Sequence, residues 1–275
     1  MANVKKCLKL LSVALGLFFA LIASIMVWTK ARSLESGESD RPLAIRWEGF
    51  YHDMNHRDLG SSINDCLGTR VFKDNVVHRS AGWFSGWSCS KVGNPDVIFS
   101  LNYSPAKRER FFCHKDRTKI VGRFFNDRIQ LSDLEFIENW NSKKMRVPAC
   151  LFIENILESV ISGKKVLIHC DAGRDRSGTL SALLIAMASE KLGLLDERMI
   201  EAIECDYRKT ESLAESKYGR MSNFLRELQK RGGVGDFLSD RCGISVNVVS
   251  KAAEILLFSA ENGRRSLSPI QQANR

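Results

Sequence analysis

The chain of 275 residues lacks the cysteine and histidine spacings that bind zinc. It has eight cysteines and five histidines, but no CxxC pair and no Cys/His cluster. A structural zinc site needs four such ligands at short intervals, so we expect neither a metal nor another cofactor. Repeats and low-complexity tracts are also absent, and from Leu43 onward the composition is that of a globular domain.

Acidic residues are missing from the first 32 positions, and this explains much of the net charge of +9. That segment holds five of the 41 basic residues, so the remainder has 36 basic against 32 acidic residues, a net charge of +4. So small an excess does not predict a nucleic-acid partner.

Charge is also absent from the 19 residues between Leu10 and Trp28. As a helix they would rise roughly 28 Å, about one hydrocarbon core, so we expect an N-terminal transmembrane helix that contacts the membrane through residues 10–28. Three lysines precede the run, which favours a cytoplasmic N-terminus and an extracytoplasmic, periplasmic domain. The alternative is a signal peptide whose cleavage leads to secretion, although no good cleavage site follows.

The sequence divides into an anchor or signal segment over 1–32, a polar linker over 33–42, one domain over 43–260 and a polar tail over 261–275.

Six cysteines fall in the domain besides Cys170. In an extracytoplasmic domain they can form three disulfides; six unrelated reduced thiols are the other interpretation. These six are Cys66, Cys89, Cys113, Cys150, Cys205 and Cys242.

Hydrophobic patterning predicts alternating strands and helices. Short apolar runs at 95–101 and 118–125 are typical of strands, and the run over 164–170 is typical of a buried strand. Helical spacing follows over 149–163 and 177–193, each ending at a glycine, and again over 197–257. We therefore expect an α/β fold, a three-layer sandwich around a mostly parallel central sheet.

Between the strand ending at Cys170 and the helix expected from Ser177 lies a loop suited to an anion. Helix N-termini and successive loop amides present N–H groups to phosphate oxygens, and Gly173 permits the backbone turn. The guanidinium of Arg176 can grip two oxygens at once. Cys170 would lie at the base of the loop, where the same groups stabilise its thiolate as a nucleophile for phosphorus.

One segment resembles the signature loop of the cysteine-dependent protein tyrosine phosphatase superfamily: His169-Cys170 is followed, after five residues, by Arg176-Ser177-Gly178. Other segments resemble the bacterial atypical dual-specificity (tyrosine/lipid) phosphatases, in the same order along the chain: "NHRDLG" at 55–60, "VVHRSA" at 76–81, "CDYRKT" at 205–210 and the helices over 232–257. The chain departs from that family at Arg174, where lysine is usual, at Ser177, where threonine is common, and at Ser61, where a second glycine is expected.

The resemblance implies hydrolysis of phosphate monoesters through a phosphocysteine on Cys170, with Arg176 holding the equatorial oxygens. Ser177 would bond the sulfur, while His169, Arg57 and Asp58 would support the loop. The residues expected to bind substrate are Asp171, Ala172, Gly173, Arg174, Ser177 and Gly178.

Three aspartates are candidates for the general acid: Asp175 first, Asp133 second and Asp127 third. Because Arg174 and Arg176 flank Asp175, its use as an acid would imply a mildly acidic optimum. The substrate is expected to be a phosphorylated protein, carrying phosphotyrosine or phosphoserine/threonine, or a phosphoinositide, which the cation of Arg174 would favour. Two other functional classes are possible. The presence of both Cys170 and Arg176 argues against a catalytically inactive phosphate-binding module. A thiol redox protein would have no use for Arg176.

Overall fold

The computed structural model describes residues 55–81, 87–101, 112–116, 118–124, 133–170, 172–210, 213 and 215–258, together with Gly16, Phe18, Ala20, Leu21 and Ser24, which are helical. Most of the expected anchor, the linker, the first residues of the domain and the polar tail lie outside the described residues. Among those described, no helix combines the length and the apolar character needed to cross a bilayer.

The described residues form seven strands: β1 (Arg57–Asp58), β2 (Val77–Ala81), β3 (Trp87–Ser88), β4 (Val97–Ser100), β5 (Phe112–Lys115), β6 (Thr118–Phe124) and β7 (Val166–Cys170). They make one sheet in the order β1-β2-β7-β4-β6-β5-β3. The pairs β2–β7, β4–β7, β4–β6 and β3–β5 are parallel, while β1–β2 and β5–β6 are antiparallel, so the sheet is mostly parallel as expected.

The described residues form seven α-helices. They are α1 (Leu59–Leu67), α2 (Lys143–Ile161), α3 (Asp175–Lys191), α4 (Glu197–Arg208), α5 (Arg220–Lys230), α6 (Val234–Cys242) and α7 (Val246–Leu256). Three 3₁₀ helices complete the secondary structure: Cys89–Val92, Ile137–Asn141 and Glu215–Lys217.

The two faces of the sheet carry cores of very different size. Val97, Phe99 and Ile168 point into the main core, which the seven α-helices share. Their neighbours Ile98 and Leu167 point the opposite way, as alternation along a strand requires, into a small core. In the described part of the chain only the 3₁₀ helix Cys89–Val92 covers that second face. The mixed α/β fold is confirmed; among the described residues the α-helices pack on one face of the sheet, not on both as in the expected three-layer sandwich.

Three disulfides pair the six cysteines: Cys66–Cys205, Cys89–Cys113 and Cys150–Cys242. The first joins α1 to α4, the second supports the small core, and the third joins α2 to α6. In the described residues Cys170 is the free cysteine, and it is buried.

The predicted elements around the signature loop are confirmed, with two shifted boundaries. The buried strand is β7 and the expected strands at 95–101 and 118–125 are β4 and β6. Helix α3 begins at Asp175 rather than Ser177, because its first turn includes the end of the loop, and Gly193 adopts φ +67° just beyond its last residue. Helix α2 begins at Lys143, several residues before the apolar pattern that predicted it.

Candidate active site

Cys170 is the last residue of β7, at the carboxyl end of the central parallel strands. Strand β7 lies between β2 and β4, and Cys170 pairs in register with Ala81. The chain then turns into the loop 171–174 and enters α3 at Asp175. Ligands of open parallel sheets bind at this edge, where the loops that follow the strands converge. The fold therefore places the cysteine where the sequence pattern predicts a site.

Gly173 allows the loop to pass directly against β2. Its φ is +64°, and a Cβ there would lie 2.5 Å from the carbonyl carbon of Ser80 and 2.6 Å from the backbone nitrogen of Ala81. Both the left-handed backbone and the lack of space require glycine. Gly178, in the first turns of α3, is also confined: a Cβ would meet the Tyr207 ring at 3.0 Å and Nη2 of Arg79 at 3.2 Å.

Four polar residues, Asn55, Arg57, Arg79 and Asp206, hold the loop from the side of β2; we call them the back cluster. The Nδ2 of Asn55 donates to the carbonyl oxygens of Ala172 and Gly173, both at 3.0 Å. The Nη2 of Arg79 donates to the carbonyl oxygens of Gly173 at 2.9 Å and Arg174 at 3.2 Å. The loop is thus fixed through its carbonyls rather than through its side chains.

A single carboxylate anchors both arginines of the back cluster. Asp206 Oδ1 accepts from Arg57 Nε at 2.8 Å and from Ser62 Oγ at 2.6 Å, while Oδ2 accepts from Arg79 Nη1 at 2.5 Å. Burial alone would raise the pKa of Asp206, but the charges of Arg57 and Arg79 and these hydrogen bonds outweigh it and lower that pKa to about 2. Asp206 is therefore ionised at every physiological pH.

The reactive groups lie on the other side of the loop. The Cys170 sulfur is 3.4 Å from Ser177 Oγ, and Cys170 is 2% exposed. Arg176 donates from Nη1 to the carbonyl oxygen of Leu101 at 2.5 Å. Leu101 in turn donates its N–H to the carbonyl oxygen of His169 at 2.8 Å. The end of β4 therefore ties the guanidinium to the strand that carries Cys170.

Six charged or polar residues form the outer side of the site; we call them the front cluster. They are Glu135, Arg174, Asp175, Tyr207, Lys217 and Arg220. Asp175 is the centre of the cluster: it accepts from Tyr207 Oη at 2.6 Å, from Lys217 Nζ at 2.9 Å and from Arg174 Nε at 3.2 Å. Arg174 thus contacts the neighbouring carboxylate of Asp175.

The contacts of Asp175 oppose its use as a general acid at neutral pH. Burial raises its pKa, but the hydrogen bonds from Tyr207 and Lys217 and the charges of Arg174 and Lys217 outweigh burial and hold the pKa below its usual value. An ionised carboxylate accepts a proton and cannot donate one. As arranged, Asp175 balances the positive charge of the front cluster.

Glu135 carries a second carboxyl group of the front cluster, and its surroundings raise its pKa, whereas those of Asp175 lower it. Its side chain is 1% exposed; Oε1 accepts from Arg220 Nη1 at 2.8 Å, and Oε2 is buried without a hydrogen-bond partner among the described residues. Burial raises the pKa of Glu135 and the charge of Asp175 raises it further, against the effect of Arg220. Glu135 therefore retains a proton to higher pH than Asp175.

The other predicted site residues lie in varied positions. Asp133 is exposed with φ +61°, and no hydrogen bond or ion pair among the described residues joins its side chain to the loop. Asp58 caps α1 through Ser61 N and accepts from Asn75 N, so it fixes the segment beside Arg57 and not the loop. His169 is buried in β7. Asp127 and Asp171 lie outside the described residues.

Sequence reasoning did not assign a role to Asn55, Arg79, Asp206 or Glu135. The first three occur within the segments "NHRDLG", "VVHRSA" and "CDYRKT". The sequence therefore showed that these segments matter, but not that these side chains hold the loop. Glu135 follows Asp133 by two positions, and only its burial distinguishes it. In the part of the chain that is described, no three potential metal ligands lie close enough together to hold a metal ion.

Among known proteins, no curated protein matches the chain, but a family model does. The sequence model of the tyrosine phosphatase family matches residues 143–194, which run from the start of α2 through β7 and the loop to just beyond α3. The match covers Cys170, the loop and Arg176, and it supports phosphatase activity in general. It relates this chain to the protein tyrosine phosphatase-like superfamily.

Proposed function

We propose that the protein hydrolyses phosphate monoesters through a phosphocysteine intermediate on Cys170. The observation that supports this most is the pairing of a buried free thiol with Ser177 Oγ, 3.4 Å away, beside a loop whose described carbonyls, those of Ala172, Gly173 and Arg174, are held from behind. In the first step the thiolate attacks phosphorus, the ester oxygen leaves with a proton taken from the general acid, and a phosphocysteine forms. In the second step water attacks phosphorus, gives its proton to the carboxylate of the former acid, and displaces the Cys170 thiolate, with Ser177 as hydrogen-bond donor to the sulfur.

Arg176 and the loop amides bind the equatorial oxygens of the phosphoryl group in both steps. Charge on these oxygens must be stabilised as the phosphoryl group transfers, and preorganised donors provide this without rearrangement. The carbonyl of Leu101 already orients the guanidinium at 2.5 Å. The alternative function, a phosphate-binding module without turnover, would need the loop but not the thiol; the intact Cys170–Ser177 contact favours the enzyme.

We propose phosphotyrosine proteins as the substrate class, with phosphoserine/threonine and phosphoinositides as the alternatives. The tyrosine phosphatase family match supports the first. The phosphoinositide alternative rested on the cation of Arg174, and that cation is paired with Asp175 at 3.2 Å. Comparing phosphate release from a phosphotyrosine peptide, a phosphoserine peptide and monophosphoinositide vesicles ranks the three classes.

The general acid is tested by the pH dependence of three variants, Asp175→Asn, Asp133→Asn and Glu135→Gln. Loss of the acid should lower kcat by about 10²-fold or more and remove the alkaline limb of the profile. The loss should be large for phenyl phosphate, whose leaving group needs a proton, and small for p-nitrophenyl phosphate. An acid at Asp175 predicts an acidic optimum because its pKa is lowered; an acid at Glu135 predicts activity toward neutral pH.

We also propose that the domain works outside the reducing cytosol, held by an N-terminal anchor or secreted after cleavage. Three disulfides that use all six domain cysteines other than Cys170 support this, because disulfides persist in oxidising compartments. Cell fractionation with thiol labelling tests it. Labelling of the six cysteines in intact cells without a reductant would contradict it.

The decisive experiment on the function is phosphate release by the full-length chain, with Cys170→Ser as the paired variant. Turnover that disappears in Cys170→Ser supports the proposed enzyme. Absence of turnover on every ester under reducing conditions, with inorganic phosphate still bound, would replace it by the binding module.

A further inference from the structure

Three consecutive carbonyls of the signature loop are bonded on one side. Ala172 and Gly173 accept from Asn55, and Gly173 and Arg174 accept from Arg79, at 2.9–3.2 Å. In a planar trans peptide the C=O of one residue and the N–H of the next point in opposite directions. The N–H groups of Gly173, Arg174 and Asp175 are therefore directed away from the back cluster.

We propose that Asp206 is the positioning residue that aims these three N–H groups at the phosphate. It acts through two routes: directly through Arg79, and through Arg57, whose Nη1 donates to Asn55 Oδ1 at 2.6 Å. The inference rests on the proposed function, which makes phosphate the ligand of the loop, and adds the group that shapes its binding site.

Asp206 is the point where both routes meet. Without its carboxylate, Arg79 loses the bond at 2.5 Å that fixes its guanidinium, and Arg57 loses the bond at 2.8 Å that fixes its own. Arg57 would keep two contacts, to the backbone carbonyl oxygen of Asp206 at 2.8 Å and to Thr210 Oγ1 at 3.0 Å, whereas Ser62 Oγ would lose its carboxylate acceptor. Arg79, which bonds two of the loop carbonyls, would lose the partner that orients it, and Asn55 would be held by a less constrained Arg57.

Charge adds to orientation. Asp206 is 2% exposed and ionised, and the two arginines it binds leave the back cluster with one net positive charge directly behind the loop. Positive charge in a site shielded from water favours an anion on the far side of the loop. The carboxylate thus holds the arginines at the loop without cancelling their combined charge.

The test compares Asp206→Asn with Glu204→Gln in the full-length chain. Glu204 is a matched control: it is buried to 3%, lies on the same helix α4, and accepts backbone N–H bonds from Gly219, Met221 and Ser222, away from the loop. Both variants should lower Tm, because each disturbs a buried carboxylate.

Only Asp206→Asn should lower the affinity for inorganic phosphate, measured by calorimetry below both Tm values, by roughly 10-fold to 100-fold. The rate of Cys170 alkylation by iodoacetamide should fall with it, because the same N–H groups stabilise the thiolate. Glu204→Gln should keep phosphate affinity and alkylation rate within about twofold of the wild type.

Arg79→Lys covers the case in which Asp206→Asn does not fold. Lysine retains a charge for Asp206 but cannot bond two loop carbonyls and the carboxylate with one planar fork. Its phosphate affinity should fall by a similar factor with a smaller loss of Tm. The proposal is overturned if a folded Asp206→Asn, or Arg79→Lys where the first does not fold, binds phosphate as the wild type does.

The same experiment separates this inference from the proposed function. A wild-type chain that binds phosphate but hydrolyses no ester would end the enzyme proposal, and the variants would still measure positioning. A wild-type chain that binds no phosphate would overturn both, because the loop would then have no anion to receive.

Discussion

The back and front clusters contact the same loop in opposite ways. The back cluster has a buried centre, Arg79 and Asp206; it bonds to backbone carbonyls and joins residues far apart in sequence, such as Arg57 and Asp206. The front cluster bonds to the side chain of Asp175 through groups that remain 20–24% exposed, Arg174, Lys217 and Asp175 itself. Under the proposed function, the back cluster would set the shape of the phosphate site, whereas the front cluster would set its charge and proton balance. Changes at the back should reduce catalysis, and changes at the front should shift its pH dependence.

The largest effect is expected from Gly173→Ala. A Cβ at Gly173 would press on the backbone of Ser80 and Ala81 and displace the loop from the back cluster. We expect kcat/KM to fall by about 10²-fold to 10³-fold, since misplaced oxyanion donors cost of that order. Steady-state kinetics on a phosphotyrosine peptide would measure it.

Gly163→Ala is the control for this substitution, because Gly163 also has a left-handed φ, +69°, but nothing lies within 4 Å of a Cβ. It should cost about 1 kcal/mol of stability and leave kcat/KM unchanged. Equal losses of activity in the two variants would show that close approach at Gly173 has no special role.

Removing the disulfide between α1 and α4 should have the next largest effect. Cys66→Ser with Cys205→Ser should lower the free energy of unfolding by about 2–4 kcal/mol, and Cys150→Ser with Cys242→Ser by a similar amount. Cys205 directly precedes Asp206, so only the first pair should also weaken phosphate binding. Urea unfolding and phosphate calorimetry would be measured on both double variants. An equal loss of phosphate affinity in the two would contradict a special effect of the Cys66–Cys205 disulfide on the site.

A third effect concerns pH and the histidines beside the back cluster. His56 Nε2 lies 3.3 Å from His78 Nδ1, with Asp58 3.7 Å from His78. Burial lowers both pKa values to about 4, helped by the charge of His78 at His56 and of Lys165 at His78. The ordinary histidine pKa is 6.5, so the unfolded chain takes up these protons first.

Stability should therefore be complete above about pH 6.5 and fall as pH drops toward 4, by about 2 kcal/mol for each ring at pH 5. Urea unfolding at pH 7 and pH 5 measures the difference, and His56→Gln should make it smaller. A wild-type stability that is unchanged between these pH values would be inconsistent with two neutral buried rings.

The smallest effect is expected at the front cluster. Lys217→Met removes a hydrogen bond and a charge that lower the pKa of Asp175, so that pKa should rise. If Asp175 is the general acid, the alkaline limb of the pH–rate profile should move to higher pH with it. The maximal kcat should change little. A profile that keeps its position while kcat collapses would assign Lys217 to the phosphate site instead.

Sequence reasoning was most successful where the site is contiguous. The strand, glycine loop and helix around Cys170 follow one another within a few positions, so local patterns predicted β7, the loop and α3. The back cluster could not be predicted this way, because Arg57 and Asp206 are 149 positions apart and meet only after α1 and α4 pack together.

The protonation states also required the fold. From sequence, Asp175 had only its neighbours Arg174 and Arg176 as charge partners, and it ranked first as the acid. The structure adds Tyr207 and Lys217 as donors to it, and places the buried Glu135 near enough for its pKa to respond to Asp175. Similarly, the cysteine count allowed three disulfides but gave no pairing.

The most direct test of the account is to trap the phosphoenzyme. The full-length chain would be mixed with a phosphotyrosine peptide, quenched in acid and digested, and the peptide that contains Cys170 would be weighed by mass spectrometry beside that of Cys170→Ser. The account predicts one added phosphoryl group on Cys170, absent from the variant, with turnover abolished. Phosphate release from Cys170→Ser at the wild-type rate would contradict it.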